Sequence, residues 1–200
     1  MRPIEGTNGN NVVRGTGGDD VIFALDGDDT AFGYAGDDVI LGGDGNDTLH
    51  GMDGDDVLYG KLGLDELHGG NGRDVLQGGG GGDRLYGGEG ADRFVYQALM
   101  GEDYLGASEA ILDFAFFDGD RIDLSGIDAR PGIAGNQALR FVDGNAFTGA
   151  GGEVITVLLN LGGGQYFRSV EVDIDGDRYA ELSIGVQGGA ADIPAAAIIV

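Results

Sequence analysis

The sequence predicts an all-β fold, a solenoid of short parallel strands, on three observations. Between residues 6 and 95 a nine-residue unit recurs ten times without insertion or deletion, as in GGDGNDTLH (residues 42–50) and GMDGDDVLY (residues 51–59). Position 4 of the unit is glycine in all ten copies, and position 6 is aspartate in nine, with Asn11 the exception. Position 8 is apolar in all ten. A period this strict marks one supersecondary unit stacked on its neighbours.

Composition narrows the function. The chain of 200 residues carries 35 acidic against 11 basic side chains, a formal charge of -24. With 42% of residues apolar and placed in phase, that charge does not signal a disordered chain. Like charge at this density repels itself in a compact state unless counter-ions bind, which argues against nucleic acid and anionic membranes as partners. Cations are the implied partner. There is no cysteine, so disulfides and thiolate metal sites are excluded. The opening MRPIEGTNGN lacks an apolar h-region, and no stretch approaches the ~18 apolar residues of a membrane span, so neither a Sec-type signal nor a span is expected.

Taken in order, residues 1–5 are a lead-in and residues 6–95 hold the ten repeats. Positions 1 to 6 of each unit are rich in Gly, Asn and Asp, and positions 7 to 9 are apolar or β-branched, so each unit reads as a turn followed by a three-residue strand. Position 8 alone is expected to face inward: Val13, Ile22, Ala31, Ile40, Leu49, Leu58, Leu67, Leu76, Leu85 and Phe94. Two units make one coil of 18 residues, giving five coils. A single-file core in a stretch holding 26 of the 43 glycines does not offset the entropy of ordering it, so something else must stabilise the turns.

The aspartates at position 6 supply it. Successive units alternate sides, so turns two units apart stand above one another and their carboxylates form two ladders. One holds Asp29, Asp47, Asp65 and Asp83, the other Asp20, Asp38, Asp56, Asp74 and Asp92. Carboxylates and turn carbonyls make a flexible oxygen cage at about 2.3–2.6 Å that suits Ca²⁺ better than Mg²⁺. The ladders have seven gaps, with an eighth where Asn11 meets Asp29, so about seven or eight ions are expected. Position 5, Asp55 for instance, is expected to point to solvent.

The unit resembles GGxGxDxUx, the calcium-binding nonapeptide of RTX (repeats-in-toxin) proteins. That resemblance implies a right-handed parallel β-roll with Ca²⁺ between stacked turns, held by the position-6 carboxylates and by turn carbonyls, among them those of Gly18, Gly27, Gly36, Gly45, Gly54, Gly72, Gly81 and Gly90. Two copies depart from the pattern: the third has Ala24 and Leu25, and the seventh has Lys61, Leu62 and Leu64 in its turn. The sites touching Asp29 and Asp65 are therefore expected to be weaker.

Residues 96–200 are not repeats. The stretches GADRFVY (residues 90–96), ILDF (111–114), DGDRIDLSGID (118–128), LRFVDGNAFTGAGGEV (139–154) and VDIDGDRYAELSIGVQG (172–188) resemble the C-terminal domain of serralysin-type metalloproteases. The resemblance implies a β-rich cap that closes the roll, a type I secretion tail at residues 192–200, the type I machinery as partner and a secreted, extracellular location. Asp113, Asp120 and Asp123 are candidates to ligate the terminal ion. The segment holding Asp173, Asp175 and Asp177 resembles the opening of an EF-hand loop, with Glu181 short of the twelfth position a full loop requires.

No catalytic constellation is present. A zinc protease needs HExxH, and the two histidines, His50 and His68, both fall at position 9 and read as a solvated pair on one outer face. The sequence therefore reads as a non-catalytic calcium-binding module that folds on calcium outside the cell and supports secretion and stability of a secreted protein of serralysin type. Alginate epimerases carry similar modules, so the alternative is a polysaccharide-binding module using the outward Phe23, Phe32, Tyr59 and Tyr86 with Arg73, Arg84 and Arg93. A free-standing extracellular calcium-binding protein is a third reading.

Overall fold

A computed structural model of the chain describes residues 2–97, 108–127, 140–141, 152–162, 165–173, 182–188 and 195–200. The repeats form β1 (Ile4–Glu5), β2 (Val12–Arg14), β3 (Val21–Asp26), β4 (Thr30–Ala35), β5 (Val39–Asp44), β6 (Thr48–Asp53), β7 (Val57–Leu62), β8 (Glu66–Asn71), β9 (Val75–Gly80), β10 (Arg84–Glu89) and β11 (Arg93–Gln97). Odd strands pair in parallel on one sheet and even strands on the other. Val21 lies beside Val39, Val39 beside Val57 and Val57 beside Val75, a step of 18 residues each time. This is the two-unit coil that the period predicts.

The strands are longer than expected. From β3 to β10 each covers six residues, positions 7 to 9 of one unit and positions 1 to 3 of the next. Side chains alternate across a strand, so the position two residues after 8 also faces inward, and that is position 1 of the next unit. Position 8 is fully buried from Ile22 to Phe94, and Ala24, at position 1, is buried as well. A Cβ added at Gly33, Gly42 or Gly51 would run into the carboxylate of its own unit, Asp38, Asp47 or Asp56. Glycine at position 1 thus makes room for the ladder.

Past the repeats, β12 (Ser108–Phe114) adds in parallel to β10, and β13 (Arg121–Gly126) to β11. The even sheet then continues through β17 (Leu182–Gly188), β16 (Gln165–Asp173), β15 (Glu153–Gly162) and β14 (Arg140–Phe141), in that spatial order. Here β16 runs antiparallel to both neighbours. Ile111, Ile122, Leu124, Val170, Val172 and Ile184 carry the core on past Phe94. A 3₁₀ turn (Ala195–Ala197) leads into β18 (Ile198–Ile199), which pairs with β13 at the end of the odd sheet.

From the third unit to the last, position 2 holds the backbone at positive φ, and four of those units place a side chain there: Leu25 (84°), Tyr34 (83°), Met52 (88°) and Lys61 (93°). L-residues pay for this conformation in steric crowding, and glycine does not. Met52→Gly is expected to raise stability by about 0.5–1 kcal/mol after the greater freedom of glycine in the unfolded chain is discounted. Urea unfolding of the two proteins side by side checks it, and an unchanged or lower midpoint would contradict the strain at this position.

Candidate metal centre

Each ladder is one repeated contact. The Oδ1 atom of a position-6 aspartate accepts from the backbone N–H of the residue 18 positions earlier: Asp29 to Asp47 at 2.8 Å, Asp38 to Asp56 at 2.8 Å, Asp56 to Asp74 at 2.8 Å and Asp65 to Asp83 at 2.9 Å. Asn11 N–H donates to Asp29 in the same way at 2.6 Å. Oδ2 is different. In Asp29, Asp38, Asp47, Asp56, Asp65, Asp74, Asp83 and Asp92 it is buried without a hydrogen-bond partner. A buried charged oxygen with no partner is costly, and eight in two columns mark places built for a cation.

The cradle around each Oδ2 is made of backbone. The space that a Cβ on Gly51 would fill is bounded by Oδ2 of Asp56 and the carbonyl oxygen of Gly69, and Gly60 and Gly69 stand in the same way to Asp65 with Gly78 and to Asp74 with Gly87. These position-1 carbonyls were not among the expected ligands. Of the expected position-4 set, the carbonyl oxygens of Gly27, Gly36, Gly45, Gly54 and Gly72 face the glycine one coil on, where a Cβ would strike them. Among the described residues no three His, Cys, Asp or Glu side chains gather as a metal cluster. Carboxylate pairs completed by carbonyls are an all-oxygen donor set, which fits Ca²⁺ and not Zn²⁺.

The ends of the ladders differ from their middles. Thr16 donates to Oδ2 of Asp20 from its backbone N–H at 2.6 Å and from its hydroxyl at 2.8 Å, and Thr7 and Asn11 are likewise hydrogen-bonded. Asp120 accepts from Asp92 N–H at 3.0 Å and from Ala115 N–H at 2.8 Å, extending the even-numbered ladder by one rung. Asp113 accepts from the N–H groups of Gly87 and Gly88, both at 2.9 Å. Asp123 accepts from Ser125 and lies 3.5 Å from Arg93. All three of these candidates are thus already engaged by protein donors. Asp173 is buried at the end of β16, and Asp175 and Asp177 lie outside the described residues.

Position 5 has a role that the pattern does not show. It is exposed, yet its side chains form a second ladder of opposite sense: Asp19 accepts from Asp37 N–H at 3.0 Å, Asp37 from Asp55 N–H at 2.9 Å and Asp55 from Arg73 N–H at 2.9 Å. The Arg73 guanidinium also meets Asp55 at 2.6 Å. Where position 5 is Asp or Asn, from Asn10 to Asp55, neighbouring coils are therefore tied twice, inside by position 6 and outside by position 5.

On the outer face of the even sheet Phe32, His50, His68 and Tyr86 stack with ring centroids 4.9, 4.8 and 4.5 Å apart. Burial, and after it the neighbouring His68, holds the His50 pKa below its usual value. The inner rings of this stack turn their faces to each other and only their edges outward. Arg73, Arg84 and Arg93 lie beside Asp55, Glu66 and Asp123 on the same surfaces.

The Peptidase M10 serralysin C-terminal family matches residues 5–200. The chain belongs to that family. Its members stand C-terminal to a protease, and the RTX repeat that they carry implies calcium binding. Among solved structures, the chain is similar to the AlgE6R3 subunit of the Azotobacter vinelandii mannuronan C5-epimerase, at 23% identity and a TM-score of 0.40, over 100% of this chain and 85% of that one. It is similar also to the extracellular lipase LipA of Serratia marcescens, at 15% identity and a TM-score of 0.28, over 100% of this chain and 40% of that one. Among the curated proteins the chain has no match.

Burial pushes the ladder carboxyls upward, Asp47, Asp56 and Asp92 to about 6 and Asp65 and Asp74 to about 7, from an ordinary 3.8. The folded chain thus binds more protons than the unfolded one across this window. The contribution of these carboxyls to metal-free stability is fully present below pH 3.8 and is lost as the pH rises through 6 to 7. Acidifying the metal-free protein from about pH 8 to about pH 5 is therefore expected to increase β-structure. Circular dichroism across that range reads it, and a steady loss of signal on acidification would contradict the burial of these carboxyls.

Proposed function

We propose that the chain is a non-catalytic calcium-binding module that folds when it meets calcium outside the cell, and that its folding stabilises a secreted, serralysin-type protein and supports its type I secretion. The observation that carries the reading is the column of buried Oδ2 atoms without donors. In this reading calcium lies between vertically adjacent aspartates, at the seven gaps from Asp29 to Asp83 and from Asp20 to Asp92. The carbonyls of the position-1 and position-4 glycines complete each shell. A divalent ion satisfies two facing carboxylates at once and removes the repulsion between them.

Export rests on the same chemistry. A type I channel passes an unfolded chain, and where calcium is scarce the ladders repel and the repeats stay unfolded. Outside, the cation traps the roll in its folded form. At sub-micromolar calcium, residues 6–95 are expected to be largely disordered, and to fold near the ~10⁻⁴–10⁻³ M affinities of extracellular modules. Circular dichroism in EGTA and then in millimolar calcium tests this, and identical β-rich spectra would refute it.

Two substitutions separate coordination from charge. Asp56→Ala removes a carboxylate shared by two gaps, and is expected to shift the calcium midpoint strongly upward. Asp55→Ala removes the outer rung held by Arg73, and is expected to lower the thermal midpoint slightly while moving the calcium midpoint little. Equal calcium shifts for the two would mean that bulk charge drives binding.

The tail carries a double role. Ala197 and Ile198 are buried, and β18 forms the end of the odd sheet. Removing residues 197–200 is expected to stop export in a host carrying a type I exporter. Contrary to what a free tail would give, it is also expected to lower the thermal midpoint, because the β13 edge loses its partner. Undiminished export of the truncated chain would remove the tail from the secretion reading.

A further inference from the structure

We infer that Glu109 is a cation ligand, holding an ion between the last turn of its ladder and the first strand beyond the repeats, so that calcium joins the roll to the C-terminal strands. The inference rests on the calcium reading of the ladders.

Register places Glu109 there. Arg84 pairs with Ala110 on one side as it pairs with Glu66 on the other, and Leu85 lies between Leu67 and Ile111. Ala110 N–H donates to the Asp83 carbonyl at 2.9 Å, the same bond that Arg84 N–H makes to Asp65 at 2.8 Å. The start of β12 therefore continues the coil, with Glu109 as the position-6 residue above Asp83 and Ile111 as the inward position-8 residue. Twenty-six residues separate Asp83 from Glu109, not 18, and the glycine turn of the repeat is absent. The periodic pattern for this reason does not reveal the rung.

The side chain is buried, as those of the ladder are. Glu109 is 2% exposed and Asp83 is 1% exposed. Both oxygens of Glu109 and Oδ2 of Asp83 lack a hydrogen-bond partner, and the groups facing Glu109 are the Asp83 carboxylate and peptide and, further off, the Asp65 carboxylate. The contrast with the other edge is what decides the assignment. There the terminal rung, Asp120, has both oxygens capped by backbone N–H groups. Two buried carboxylates face each other on the Glu109 edge with three oxygens unclaimed, and an oxygen-seeking divalent cation is the group that satisfies all three.

The competing arrangement is a carboxylic acid and a carboxylate sharing one proton. Calcium bound per chain, measured by equilibrium dialysis on the folded full-length protein at saturating calcium, distinguishes them. Glu109→Gln is expected to bind one ion fewer than the unaltered chain, while Asp118→Asn, an equal loss of charge at an exposed position, is expected to bind the full number. Glu109→Gln with the full number would overturn the inference in favour of the shared proton. Glu109→Asp guards against a variant that does not fold. It retains the carboxylate one methylene further back, and is expected to bind the full number with its last binding step weakened, whereas an unaltered last step would overturn the inference. If the unaltered chain binds no calcium, the ladder reading itself fails, an outcome separate from a full count in Glu109→Gln.

Discussion

The structure depends on one electrostatic constraint: two columns of buried carboxylates spaced one coil apart. Parallel pairing fixes neighbouring strands at roughly 4.8 Å, so the turns that join them bring like charges to nearly that separation with no water to screen them. Half of each carboxylate is answered by a backbone N–H from the adjacent coil. The other half, Oδ2, finds no hydrogen-bond donor among the described residues in any of these aspartates but Asp20, which Thr16 caps. Protons or a divalent cation must complete it, and the choice between them sets when the roll folds.

The glycines are a consequence of that constraint. At position 1 of units such as the fourth, fifth and sixth a side chain would occupy the room of the carboxylate, and at position 4 from Gly27 onward it would strike the backbone of the neighbouring turn. What looks like a flexible sequence is thus a crowded one, with backbone, carboxylate and carbonyl competing for the same small spaces. The apolar core is correspondingly narrow, one large side chain per nine residues. Stability is moved from the core to the turns, where in the proposed function it is subject to calcium and pH, and this is the property a chain needs if it must cross one compartment unfolded and fold in the next.

Much of this was legible in the sequence because the repeat never slips. The two-unit coil, the parallel pairing, the inward row from Val13 to Phe94 and the vertical alignment of aspartates all come from counting by nine. Three features were hidden for physical reasons. Position 1 carries no hydrophobic signal, so the six-residue strands looked like three-residue ones. Position 5 changes among Asp, Asn, Leu, Arg, Gly and Ala, and its hydrogen-bonded ladder runs through side chains of Asp and Asn to backbone groups of any residue. Glu109 sits outside the repeat, recognisable afterwards as an acidic residue two before the inward Ile111. Asp113, Asp120 and Asp123, the candidates for the terminal ion, accept hydrogen bonds from backbone N–H groups or lie beside Ser125 and Arg93.

The central claim is that cations lie between stacked carboxylates and hold the coils together. Anomalous diffraction from crystals grown in calcium, collected at long wavelength, locates those ions directly. The account predicts a column of anomalous peaks along each edge, one per gap, each within about 2.3–2.6 Å of an Oδ2 atom. A folded roll whose gaps show no anomalous density, with peaks only at the exposed position-5 carboxylates, would contradict it.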